Sequence, residues 1–129
     1  MKTKHLISKL FFIFGITLFI SLNANAQADF TFEKMEHDFG AIKPSSDTVW
    51  YSFKFKNSSS EPLVISNIET ACECTLAQWP KTPIMPGRSG IIKGGYKLKG
   101  KSGVFNKSLT IMANTLPATT TLTIKGVIK

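Results

Sequence analysis

Only two cysteines occur in this chain, Cys72 and Cys74, and only one histidine, His37, lies beyond the first thirty residues. That poverty excludes a great deal. A structural zinc site takes four ligands, and two thiols and one imidazole fall short of them. A serine triad needs a histidine beside a nucleophile elbow, and neither Gly-x-Ser-x-Gly nor a second histidine follows. The cysteines are not spaced Cys-x-x-Cys, and no histidine follows them as in a haem-attachment motif. Acidic residues are missing too. All eight lie between Asp29 and Glu73, so residues 74–129 carry nine basic side chains and no acid. Internal repeats, low-complexity tracts and a helical period after the N-terminal segment are also absent.

What is present begins with "MKTKHLISKLFFIFGITLFISLNANA". Lys2, Lys4 and Lys9 precede an apolar run from Leu10 to Leu22, and Ala24-Asn25-Ala26 offers a small-x-small cleavage site. This is the pattern of a secretory signal peptide over residues 1–26. The run is shorter than the roughly 20 residues a spanning helix needs, so no transmembrane anchor is expected after cleavage. No cysteine stands at the cleavage site to take a lipid. The expected mature chain, residues 27–129, suits a single domain of ~100 residues in the periplasm or outside the cell. It keeps thirteen basic residues against eight acids, a balance of +5.

Strand patterns fill that domain. In "TVWYSFKFKN" Val49, Tyr51, Phe53 and Phe55 share one face, and Ser52, Lys54 and Lys56 the other, with Trp50 interrupting the polar side. "DFTFE", "PLVISNIE", "GIIKGGYKLK", "FNKSLTIMA" and "TTTLTIKGVI" alternate in the same way, and "TLAQW" adds a possible seventh. Turn-forming runs separate them: "KPSSD", "NSSSEP", "MPGRSG", "KGKSG" and "NTLPA". The expectation is an all-β sandwich of about seven antiparallel strands.

"HDFGAI", "FKFKNSSSEPLVISNIETACECTLAQWP", "PIMPGRSG" and "GKSGVFNKSLTIMANT" occur in that order. Together they resemble the bacterial domain of unknown function 1573 family over about residues 32–128. The resemblance implies an Ig-like, extracytoplasmic module, similar in general form to cilium and major-sperm-protein-like domains, and implies no enzyme activity. Two positions depart from the family pattern. Glu73 stands where a glycine is usual between the cysteines, and Ser59 replaces another glycine.

Candidate sites are few. Two extended residues advance about 6.6 Å, near the upper limit for a disulfide, so Cys72 and Cys74 read first as a strained bond, next as packed thiols, and last as a soft copper pair helped by Met35, Met85 or Met112. Glu69 and Glu73 oppose thiolate formation, which weakens a redox role. The methionines and His37 are otherwise ordinary core and surface residues. "HDFG" reads as a turn at the sandwich edge, with Phe39 entering the core, and the glycines of "GGYKLKGKSG" as turn chemistry rather than a phosphate loop. Asn57-Ser58-Ser59 and Asn106-Lys107-Ser108 match glycosylation sequons. Trp50 and Trp79, with Lys97, Lys99 and Lys101, form the candidate interaction surface, Trp79 having the alternative of a lid on the core. The lysines are scattered singly and lack the interleaved aromatics of a nucleic-acid platform, so no nucleic acid is expected. The reading is a non-catalytic module without cofactor or metal that holds a protein or an envelope component. Its alternative is a thiol/disulfide or copper-handling protein.

Overall fold

The computed structural model describes residues 27–129, so the expected signal peptide and its cleavage site lie outside the described residues. Eight strands follow one another: β1 Phe30–Phe32, β2 Glu36–Ile42, β3 Thr48–Asn57, β4 Ile65–Thr70, β5 Thr75–Gln78, β6 Ser89–Lys97, β7 Gly103–Ala113 and β8 Thr119–Ile128. They form two four-stranded sheets, ordered β1-β3-β6-β5 and β2-β8-β7-β4, stacked as a β-sandwich. No helix occurs among the described residues.

The inner faces carry the alternating apolar residues that the sequence shows. Phe53, Ile92, Leu109, Ile111, Leu122 and Ile124 are fully buried. Each such side chain stabilises the fold by about 1.5–3 kcal/mol relative to exposure. Tyr96 of β6 lies flat on Phe105 of β7, ring centroids 4.1 Å apart, and so bridges the two sheets. Gly94 makes room beneath Phe53 and Leu109, whose carbons would stand 3.3 Å from an added Cβ.

Two expectations need correction. "HDFGAI" is not a turn but most of a strand, β2, which makes eight strands rather than seven. Strand β2 runs parallel to β8, whereas every other paired strand is antiparallel. The register between β2 and β8 slips between Asp38 and Ala41, and Gly40 within the slip has φ +68°. This is a bulge, and glycine supplies the left-handed conformation it requires. The bulge keeps Phe39 and Ile42 both turned toward the core although they stand an odd number of positions apart, with Gly40 and Ala41 between them. Gly94 and Gly95 stand in the middle of β6 and are buried, as the strand pattern of "GIIKGGYKLK" has them and not as turn chemistry.

The chain changes sheets between β1 and β2. β1 pairs with the last residues of β3, from Phe55 to Asn57, and Glu33 then donates its N–H to the Lys54 carbonyl at 3.2 Å before the chain crosses to β8. At the end of β3, Asn57 is fully buried. Its Nδ2 donates to the carbonyls of Glu61 and Ile84 at 2.7 and 2.8 Å, and its Oδ1 accepts from the Ser59 backbone N–H and hydroxyl. One side chain thereby fastens the β3–β4 connection to the β5–β6 connection. An asparagine so enclosed is closed to glycan attachment at the Asn57 sequon.

Candidate functional site

The outer face of the β1-β3-β6-β5 sheet gathers features that the sequence scatters. Its four strands contain no acidic residue, and their four lysines, Lys54 and Lys56 on β3 and Lys93 and Lys97 on β6, are all exposed. The strands of the other sheet carry Glu36, Asp38 and Glu69 against Lys107 and Lys125. The strand charge is thus +4 on one sheet and −1 on the other. The one ion pair among the described residues joins Lys125 to Glu36, on the second sheet. Acids near the basic face lie in its connections: Asp29, Glu33, Asp47 and Glu73.

Trp50 projects from the same face and is 40% exposed. Its cross-strand partner is Gly95, and three indole carbons lie 2.7 to 2.9 Å from where a Cβ on Gly95 would be, so the ring rests on bare backbone. Lys93 pairs with Ser52 and Lys97 with Thr48, which places a lysine on each diagonal from Trp50. Diagonal neighbours about 7–8 Å apart are within reach of long side chains. Leu76 of β5 pairs with Gly95 from the far side. Further along, a trough of about 440 Å³ crosses the face, walled by Thr31, Glu33, Lys54, Lys56, Ser89 and Ile91, so that one carboxylate stands at its β1 end beside the two lysines. Ile91 is 44% exposed.

The other expected surface residues do not join this group. Lys99 and Lys101 occupy the turn between β6 and β7, beyond the end of the face. Trp79 follows β5 with the opposite orientation to Gln78, packs against the core, and is covered by Lys81, whose Nζ stands 3.0 Å from the ring centroid. Its Nε1 is buried without a partner. Trp79 therefore matches the lid alternative. Lys54, Lys56, Lys93 and Ile91 were missed as site residues. Alternation alone puts Lys54 beside Trp50 along β3, but Lys93 and Ile91 come into place only through the β3–β6 register.

Cys72 and Cys74 are joined as a disulfide across a Cα–Cα distance of 5.3 Å. A turn brings them closer than an extended strand would. The Thr75 N–H donates to the Cys72 carbonyl at 3.1 Å, closing the turn, and the buried Thr75 hydroxyl donates to Cys72 Sγ at 3.4 Å. Among the described residues none other than glycine has a positive φ, so Glu73, where the resemblance implies a glycine, does not take up glycine's left-handed conformation. The turn leads directly into β5, and the Cys74 carbonyl accepts the Lys97 N–H at 2.8 Å.

His37 is a strand residue of β2, half-buried rather than a surface or turn histidine. Its ring stacks on Tyr51 at 3.7 Å and meets the edge of Phe39 at 4.6 Å. Burial lowers its pKa below the ordinary 6.5, Lys34 adds to the lowering, and Asp38 opposes it. β2 edges one side of the sandwich and the cysteine turn joins the strands at the other, so His37 and the cysteines do not meet. Met35 and Met85 are exposed rather than core residues, and Met112 is half-buried. Among the described residues no three His, Cys, Asp or Glu side chains converge as a metal-ligand set.

No curated protein matches the sequence. Among solved structures, a protein of unknown function from Porphyromonas gingivalis is similar, with a TM-score of 0.69 at 17% identity, over 85% of this chain and 51% of that one. The VesB protease of Vibrio cholerae shares the fold with a TM-score of 0.59 at 11% identity, over 78% of this chain and 32% of that one. The secreted serine protease VesC of the same organism gives 0.57 at 12% identity, over 80% and 23%. This chain thus spans about half or less of those molecules, and the likeness is one of fold. A family model described as a protein of unknown function, DUF1573, matches residues 30–128, almost the whole described chain, and the protein belongs to that family.

Proposed function

We propose that this protein is a non-catalytic, extracytoplasmic Ig-like binding or scaffolding module of the bacterial cell envelope, periplasmic or secreted. Its working surface is the outer face of the β1-β3-β6-β5 sheet. The observation that carries the reading is the segregation of charge: four exposed lysines, no acid in the strands, and a half-exposed tryptophan lying among them. A face of one sign with apolar side chains at its centre attracts an acidic partner at long range and gives it something to dock against. The signal-like N-terminus and the bonded cysteine pair support export into an oxidising compartment.

A photoreactive residue placed at Ile91, and a second at Thr121 on the other sheet, test this in the native host. Adducts from position 91 and none from 121 are expected, and equal or absent crosslinking from 91 overturns the reading. The thiol-handling alternative draws on the placement of the disulfide in a turn at the domain surface. It requires exchange of the Cys72–Cys74 bond with a small thiol at a rate that serves a partner, which mass spectrometry after alkylation measures directly. Turnover of any substrate abolished by Cys72→Ser would overturn the non-catalytic reading.

A further inference from the structure

The basic face has a specific construction around Trp50, and we infer that its ligand is an acidic polysaccharide, a chain of sugars bearing carboxylates. The inference rests on the binding-module reading above and names the chemistry of its partner. The indole lies flat on the backbone at Gly95, because only a missing Cβ lets it come so close, and its outer side is open to solvent. A flat aromatic surface held parallel to a sheet is the shape that accepts the C–H face of a pyranose ring. Lys93 and Lys97 stand on the two diagonals of the ring, four residues apart on one strand, or roughly 13 Å. A sugar stacked on the indole would therefore carry its own carboxylate, or that of the next unit, toward an ammonium on either side.

Other acidic occupants fit less well. At Trp50 the backbone of β3 is paired to β6, and β6 is paired to β5, so a peptide lying on the face finds no main-chain hydrogen bonds there. A single-stranded nucleic acid stacks successive bases on successive aromatics, and this face offers one. All four cations are lysines, flexible point charges rather than the planar forks that grip phosphate in two places. Such cations suit charges repeated along a polymer. Lys54, Lys56 and the trough beside Ile91 extend the same path along β3, as far as Glu33 at the trough's β1 end.

The full mature protein, titrated with polygalacturonate, its fully methyl-esterified form, polyglutamate and oligothymidylate, tests the inference by calorimetry and tryptophan fluorescence. Binding of polygalacturonate at least about tenfold tighter than of the other three is expected. Trp50→Ala is expected to lose at least about tenfold and Trp50→Phe less, while Lys93→Glu with Lys97→Glu abolishes binding. Thermal melts of each variant separate loss of the site from loss of the fold, and the surface lysine pair gives a result even where Trp50→Ala unfolds. Equal binding of polyglutamate or oligothymidylate, or insensitivity to Trp50→Ala in a folded variant, overturns the glycan while leaving a basic docking face. Binding of no polyanion, with crosslinks still formed from position 91, does the same. Neither binding nor crosslinks removes both readings.

Discussion

Asn57 shows how much one side chain can organise. With both its amide N–H groups and its carbonyl oxygen engaged, its replacement takes one donor from each of the Glu61 and Ile84 carbonyls, which keep the Ser59 hydroxyl and the Leu63 N–H, and leaves the Ser59 N–H without its acceptor. Asn57→Ala is expected to lower stability by about 1–3 kcal/mol in urea denaturation. Asn57→Asp should cost at least as much, because a carboxylate would face two carbonyls with no proton to give them. His37 makes a different prediction. Its folded pKa lies below its unfolded value, so the unfolded chain binds the proton more readily, and the contribution of the neutral, stacked ring is complete above about pH 6.5. That contribution is lost as pH falls through the lower, folded pKa. Unfolding measured from about pH 7.5 down to about pH 5 should show a decline that His37→Phe, which keeps a ring against Tyr51, reduces.

At the scale of elements, the cysteine turn is a short closure rather than a long staple. A loop so small removes little unfolded-state entropy, so reduction is expected to cost no more than about 1–2 kcal/mol and to leave the sandwich folded, as circular dichroism before and after reduction would show. The elements also show what could be read from residues alone. β3, β6, β7 and β8 were legible because Phe53, Ile92, Leu109 and Leu122 each sit in a clean two-residue alternation. β2 was not, because the bulge at Gly40 inserts an odd residue between Phe39 and Ile42 and breaks the period that marks a strand. The disulfide was the favoured reading of the pair but not the sole one, since spacing alone set the cysteines at the limit of reach, and it is the turn closed by Thr75 that shortens the gap. Trp50 was visible as an exception on a polar face. Lys97 was read with it, but Lys93 was not, because cross-strand register is a property of two strands at once.

At the scale of the whole molecule, the strands of the two sheets differ in the sign of their charge. The acidic half and the basic half of the sequence do not map simply onto the two sheets, since Lys54 and Lys56 come from the acidic half and join Lys93 and Lys97 from the basic one. The result is a domain with a strong electrical orientation. Its association with any polyanion should weaken steeply as salt rises from about 0.01 to about 1 M, where the Debye length falls from ~30 to ~3 Å. Replacing Lys93 and Lys97 by Gln should flatten that dependence, and replacing Lys125, already paired with Glu36, should leave it unchanged in the same titration.

The parallel pairing of β2 with β8 also gives the domain a mechanical character. The chain enters β2 at Glu36, beside Thr123, and leaves β8 at Ile128, beside Ile42, so tension applied at the two ends of the chain pulls these neighbours past each other lengthwise. Once the three residues of β1 have peeled away, the register pairs from Glu36–Thr123 to Ile42–Ile128 must slip together, whereas strands pulled apart from a shared end open one rung at a time. A module tethered at both ends to envelope structures would resist stretching through this seam, and its basic face, built on the other sheet, would keep its shape while the load is carried elsewhere.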